Sequence, residues 1–238
     1  SGKYKGVLMA KIMAPDKIID LHMHTFASDG VLSPAELVQR AETSGYGAMA
    51  ITDHADASNI EQVVDSIVRF CRETSPFLSI TVIPGIELTH VPPAQIGKLV
   101  SLARKKGARM IVLHGETICE PVPPGTNRAG IEAGIDILAH PGLITDEEAS
   151  LAARNHVYLE ITARKNHGLA NGRVLAAARK TGALLVLDTD THAPGDIFTA
   201  SFRKKVALGC GMTREEFEEA GRNSSNIVQA LTEERYLT

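Results

Sequence analysis

The chain has 238 residues, 44% hydrophobic and 22% charged, enough to bury a sizeable core in one unit of the size usual for an α/β barrel. Its 25 lysines and arginines against 28 aspartates and glutamates give a net charge of −3, which argues against a strongly basic nucleic-acid-coating surface. Aromatics make up 4% with no tryptophan, so base-stacking platforms are not expected, and no apolar run reaches the roughly 18–20 residues that span a bilayer.

Residues 1–16 read as a short leader closed by Pro15-Asp16, without the basic segment, apolar core and cleavage site of a signal peptide. Residues 17–238 read as a single domain in which two patterns alternate. Short β-rich apolar runs fall at 18–24, 48–54, 79–88, 109–114, 135–140, 157–161 and 184–190. Helical patterns lie between them. The first opens at Ser33-Pro34-Ala35-Glu36, with Ser33 as N-cap, proline at the first position and Glu36 closing a capping box, and it stops at Gly45. Further helices are predicted at 59–73, 94–106, 145–155, 169–181 and 213–232.

Strand-then-helix repetition implies a parallel sheet covered by helices, and seven such strands point to a distorted seven-stranded, TIM-like (β/α) barrel. A doubly wound nucleotide-binding sheet is disfavoured, because no Gly-x-Gly-x-x-Gly follows the first strand and there is no P-loop. The three cysteines, Cys71, Cys119 and Cys210, lack CxxC spacing; they fit a reducing compartment, so a cytoplasmic protein without a membrane partner is expected.

Six of the nine histidines stand at or just beyond the carboxyl ends of the strand-like runs: His22, His24, His54, His114, His140 and His192. Glu87 and Asp190 occupy equivalent positions. In an α/β barrel those ends converge on one face, which carries the active site. His22-x-His24 and Asp190-x-His192 are i, i+2 pairs whose side chains point the same way in a strand. Asp53, beside His54, is expected to support it or to cap. One buried histidine is commonly a hydrogen-bonded core residue, but six at successive strand ends together with carboxylates are a metal centre. Nitrogen and oxygen donors without thiolate suit zinc, manganese or iron, and the ligand count exceeds one tetrahedral ion. His90 and His167 are expected as loop residues bordering the pocket, and His156 as a cation at a helix end.

The assembled motifs resemble the PHP (polymerase and histidinol phosphatase) family. They are Asp20-Leu21-His22-Met23-His24-Thr25, Ser28-Asp29-Gly30, Ile51-Thr52-Asp53-His54, Gly85-Ile86-Glu87, Leu113-His114, Ile137-Leu138-Ala139-His140-Pro141, Leu159-Glu160-Ile161 and Asp188-Thr189-Asp190-Thr191-His192, in the family's order. The resemblance implies a trinuclear centre. One ion takes His22, His24, Glu87 and Asp190; a second takes Glu87, His114 and His140, with Glu87 bridging; a third takes Asp29, His54 and His192. Asp29 stands where some members carry histidine, which makes the third site more anionic.

Two or three divalent ions suit hydrolysis of a phosphate ester, by attack of a metal-bridging hydroxide on phosphorus. His192, Asp190 and Glu87 are the expected catalytic residues. Arg164 and Lys165 after the sixth strand, Arg128 in the loop after the fourth, and His167 are the expected substrate contacts. Glu116 reads as a proton shuttle or a plain loop residue. The proline-rich loop 115–128 reads as a stiff lid favouring a small phosphorylated substrate, histidinol phosphate among the candidates, over a long polymer. No second domain is evident, so a stand-alone hydrolase is expected. The alternatives are a nucleotide phosphodiesterase or exonuclease, and a non-catalytic metal-binding scaffold on the same barrel. An amidohydrolase is disfavoured because no lysine ends a predicted strand. The oligomeric state is not legible.

Overall fold

Aliphatic runs buried on both faces form the strands, and amphipathic segments between them form the helices that cover those strands. The computed structural model describes residues 17–233; the expected leader 1–16 lies outside them. In chain order the elements are β1 (Ile18–Asp20), α1 (Pro34–Thr43), β2 (Tyr46–Ile51), β3 (His54–Ala55), α2 (Ile60–Thr74), β4 (Thr81–Leu88), α3 (Pro93–Lys106) and β5 (Met110–His114). There follow α4 (Thr126–Ala133), β6 (Ile137–Ala139), α5 (Asp146–Arg154), β7 (Tyr158–Thr162), α6 (Asn171–Thr181), β8 (Leu185–Asp188), α7 (Ala200–Gly209) and α8 (Arg214–Glu233).

The strands run in the order β1-β2-β4-β5-β6-β7-β8, all parallel. The two-residue β3 extends the line of β2 past Thr52-Asp53 and pairs His54 with Glu87. Counted as one interrupted strand, β2 and β3 leave a nearly closed barrel of seven. Between β1 and β8 no ladder forms, only the single parallel bridge Met23–Thr191. Side chains complete the seam. Asp188 Oδ1 accepts from the Leu21 amide at 2.7 Å, and Asp20 Oδ1 accepts from the Thr189 amide at 3.2 Å.

The larger core packs Leu37, Val64, Ile96 and Leu99 of the helices against the outer faces of the strands. The inner face holds Ile83, Met110, Val112, Ile137 and Val186, with Ile227 and Val228 of α8 joining them. Because side chains alternate along a strand, this inner register leads from Ile83 to Glu87, from Val112 to His114 and from Val186 to Asp190.

Several predicted details change. Ser33 does cap α1, accepting from the Glu36 amide at 3.1 Å, but Glu36 pairs with Arg40 and leaves the box half formed. A complete box sits instead at Thr145 and Glu148 of α5. Helices α4 and α7 were not expected. The first opens on Gly125, which has no capping side chain, while the second has an N-cap signal in Thr199 that accepts from Phe202. Strands β1, β6 and β8 are shorter than the apolar runs that announce them, so most of the clustered histidines lie just past a strand end. No helix among the described residues is long and apolar enough to cross a membrane.

Candidate metal centre

Each strand end delivers its residue to one pocket. His22 and His24 follow β1, His54 opens β3, Glu87 and His114 close β4 and β5, His140 follows β6, and Asp190 and His192 follow β8. All but His54 are buried, and Glu87, His22 and His24 are fully so. His140 and Asp190 adopt positive φ angles of 30° and 53°. Non-glycine residues hold such conformations only where surrounding structure imposes them, and they concentrate at functional sites.

The donor atoms meet at a characteristic spacing. His22 Nε2 lies 3.4 Å from Glu87 Oε2 and 3.7 Å from Asp190 Oδ1. His24 Nε2 lies 3.6 Å and 3.2 Å from the same two oxygens. His114 Nδ1 and His140 Nε2 stand 3.4 Å and 3.6 Å from Glu87 Oε1. Asp29 Oδ1 is 3.3 Å from His54 Nε2 and 3.0 Å from His192 Nε2. Most of these exceed good hydrogen-bond length. An ion roughly 2.0–2.2 Å from each ligand would hold tetrahedral neighbours about 3.3–3.6 Å apart, so the spacings match edges of a coordination polyhedron. His22 Nε2, both nitrogens of His24 and His114, Glu87 Oε1 and Asp190 Oδ1 are buried without a hydrogen-bond partner. Buried polar atoms in such number are costly unless something satisfies them. These residues therefore fit divalent ions. Among the described residues, the groups of donors within 4.8 Å that meet at these strand ends are His22-His24-Glu87, His22-His140-Asp190, Glu87-His114-His140 and His24-Asp29-His54-His192.

Protonation follows burial and neighbouring charge. Burial pushes the His24 imidazole down to about 4, and it holds His140 well below its ordinary value with help from His114. At His22 burial acts the same way, but Glu160, Glu87 and Asp190 outweigh it and hold the ring well above its usual value. Burial raises carboxyls, yet His22 and His54 overcome it at Glu87 and hold that group well below the usual range. Asp190 is lowered, against burial, by His22 and His24; Asp29 is pushed down to about 2, against burial, by His192 and His54. Ionised Glu87, Asp190 and Asp29 and neutral His24 and His140 are the forms that ligate a metal, whereas His22, held cationic by its carboxylate neighbours, must release a proton to do so.

Outer partners orient the inner ones. Glu160 Oε1 sits 2.7 Å from His22 Nδ1, and its Oε2 accepts from the His140 amide at 3.0 Å. With the His22 proton on Nδ1, the Nε2 lone pair faces Glu87 and Asp190. His192 Nδ1 donates to the Asp190 carbonyl at 2.9 Å, which turns its Nε2 toward Asp29. Asp53 accepts from the Thr25 amide and hydroxyl at 2.6 and 2.7 Å and from Ser28 at 2.8 Å, bracing the loop that carries Asp29. Gly30 closes that loop so tightly that a Cβ there would come within 2.6 Å of the His24 carbonyl oxygen.

The centre opens into a cleft of about 570 Å³ lined by Asp29, His54, Glu120, Arg164, His167 and His192, among others. Arg164 reaches it, 3.5 Å from Asp196 and 3.9 Å from Asp190. Lys165 and Arg128 do not line it. Lys165 is exposed on the loop, and Arg128 lies near Glu132 and Glu147 outside the cleft. His90 and His167 border the cleft, and His156 is exposed at the end of α5, with φ 57°. Glu116 accepts from the Gly125 and Asn127 amides at 2.9 and 3.0 Å, which ties down the start of α4. The segment expected as one loop is thus a crossing over the mouth, with Glu120 and Pro121 at the cleft, followed by a helix from Thr126. Sequence reasoning gave no role to Glu160 or Glu120. An acidic residue between Leu159 and Ile161 in a buried strand is the available signal for the first; none marks the second.

The PHP domain profile matches residues 20–115. The chain is 46% identical over 201 residues to the uncharacterized protein MJ1295 of Methanocaldococcus jannaschii, covering 84% of this chain and 92% of that one. It is 30% identical over 202 residues to a protein of Shewanella piezotolerans named Probable phosphatase, covering 74% and 78%. A shorter match, 42% over 74 residues, relates 31% of this chain to 23% of the 5'-3' exoribonuclease Rnm of Salmonella typhimurium. In three dimensions a chain in the cryo-EM structure of archaeal ribonuclease P with mature tRNA superposes with a TM-score of 0.68 at 16% identity, covering 89% of this chain and 90% of that chain, which shows the shared barrel. The chain belongs to the PHP family, whose members are hydrolases of phosphate esters dependent on divalent metals.

Proposed function

We propose that the protein hydrolyses small phosphomonoesters, of the histidinol phosphate kind, at a centre of two or three divalent ions. The ligand sets we assign are His22, His24, Glu87 and Asp190; Glu87, His114 and His140; and Asp29, His54 and His192. The observation that carries this reading is the set of separations between 3.2 and 3.7 Å that join Glu87 and Asp190 to His22, His24, His114 and His140, buried groups several of whose facing atoms have no hydrogen-bond partner. Zinc, manganese or iron suits the donors. Such ions, when bound, acidify water, polarise phosphoryl oxygen and offset charge on the attacking and leaving oxygens.

The protein's own groups supply orientation and selection. Glu160 fixes His22 directly and His140 through its amide. Asp190 and His192 are locked to one another, the His192 ring by the Asp190 carbonyl, so neither has to reorganise as charge develops. Arg164, poised between Asp190 and Asp196, presents a planar fork of donors to phosphate oxygens, and His167 stands across the cleft. A cleft of about 570 Å³ is of the size that encloses a small ligand, and the crossing loop with Glu120 and Pro121 limits entry from one side.

A nucleotide phosphodiesterase or exonuclease is the second reading, favoured by the 74-residue similarity to Rnm. Metal analysis of the purified protein, paired with rates on mono- and diesters including histidinol phosphate and short oligonucleotides, separates the two. Two or three equivalents of metal with monoester turnover supports the first; cleavage of diesters alone replaces it with the second. Less than one equivalent and no hydrolysis of any ester would leave a non-catalytic scaffold.

A further inference from the structure

We propose that His90 and Glu120, with His114 of the second ligand set behind them, form a further divalent-cation site on the rim of the cleft. The loop that crosses the mouth brings Glu120 Oε2 to 3.1 Å from His114 Nε2 and 3.5 Å from His90 Nε2. The three donor atoms lie within 4.8 Å of one another. The His90–Glu120 spacing again fits the edge of a coordination shell, and an imidazole with a carboxylate is a donor pair that takes zinc and leaves positions open to water. His90 is held at the rim with φ 53°, a backbone state uncommon for a residue with a side chain.

His114 supplies the independent observation. It is 4% exposed, and neither ring nitrogen has a hydrogen-bond partner. Its Nδ1 faces Glu87 Oε1 at 3.4 Å, whereas Nε2 faces Glu120. Glu120 is steadied from the other side by His167, whose Nε2 is 3.4 Å from Oε1 and whose Nδ1 meets Thr117 Oγ1 at 2.9 Å.

A neutral imidazole has one lone pair. With His114 engaged by the inner centre through Nδ1, its Nε2–H faces Glu120, and the rim ion rests on His90 and Glu120 with water completing its shell. His90 and Glu120 are also partly exposed, with side chains 48% and 39% accessible, so water contests the rim ligands as it does not contest Glu87. The rim site is the weaker one, filling after the inner centre, and its ion pins the crossing loop over the mouth.

Equilibrium dialysis of the full chain against zinc or manganese alone, with bound metal counted by mass spectrometry, tests this in wild type, His90→Ala and Glu120→Gln. The expected result is one weak equivalent fewer in each variant, with the tight equivalents unchanged. Equal totals in wild type and both variants overturn the rim site. Loss of a tight equivalent also overturns it, by placing these residues in the inner centre. Because both substituted side chains are partly exposed, either variant alone suffices if the other fails to fold. Absence of tight equivalents in wild type is a different outcome and sinks the inner-centre reading instead.

Discussion

Two groups of buried ionisable residues lie within one or two turns of chain of each other, and they resolve the cost of burial in opposite ways. At the end of the barrel, Glu87 and Asp190 face His22, His24, His114 and His140 across gaps of 3.2–3.7 Å. Beneath, in the β1–β8 seam, Asp20 and Asp188 are fully buried, and the charges of Arg203 from α7 and of His22 act on both. Burial pushes the Asp20 carboxyl up to about 6 and, with Asp20 and Glu160 nearby, Asp188 well above its usual value. At Glu87 and Asp190 burial acts in the same upward direction, but the neighbouring imidazoles outweigh it and move both groups the other way. The seam also spends its carboxylate oxygens on backbone amides of Leu21 and Thr189, in place of a missing ladder, whereas the centre keeps donor atoms aimed at a common point. Carboxylate burial alone therefore does not mark a candidate metal centre; convergence of imidazole nitrogens on shared carboxylates does.

The contrast breaks most visibly at Glu87, the carboxylate shared among the donor groups. Glu87→Ala or His22→Ala should lower phosphoester turnover by at least about 10³-fold, the several kcal/mol that metal ions contribute to a phosphoryl transition state, and should reduce bound metal. Near-normal rates with full metal in either variant would refute the assignment. In the seam, Arg203→Met should cost about 1–3 kcal/mol of stability by removing one of the two cations that act on Asp20 and Asp188, read as a lower urea midpoint. Metal content at temperatures where that variant stays folded should match wild type; a matching loss of metal would show that seam and centre are one unit.

Glu160→Gln sharpens the comparison, because Glu160 touches His22 while coordinating nothing in our assignment. Its expected effect is a metal affinity lower by about 10–100-fold, measured by competition with a chelator, with smaller loss of turnover at saturating metal. An unchanged affinity would remove Glu160 from the orienting role. The smallest effect belongs far from both regions, at Glu216. Its carboxylate bonds to Arg179 and to the Thr213 amide, and these hold it down to about 2. A lowered carboxyl pKa contributes stability above its unfolded value near 4.5 that is lost as pH falls toward 2. Glu216→Gln should lower stability slightly at neutral pH, by less than about 1 kcal/mol for so exposed a pair and read as a lower melting temperature, and the gap should close as the pH is lowered. A gap that stays constant across that range would mean the ion pair is not its source.

Much of the centre was legible because period-two alternation is local. Runs ending in His22-x-His24, Glu87, His114 and Asp190-x-His192 declare their facing before any contact is known. The misreadings lie where periodicity is absent. Helix α4 has few buried apolar residues and a glycine at its cap, so it reads as loop, and Arg128 within it points to Glu132 and Glu147 and not to the cleft. Glu116, open between shuttle and loop residue, turned out to hold the start of that helix.

By itself the sequence determined the repeating strand–helix pattern, hence the barrel, and the convergence of six histidines and their carboxylates on one face. Tertiary structure alone decided which ring nitrogen meets which oxygen, that Glu160 stands behind His22 from 138 residues away, and that Asp188 bonds to the Leu21 amide across 167. Facing direction is carried by neighbouring residues, whereas distance between strands depends on closure of the whole barrel, and no stretch of chain encodes that alone.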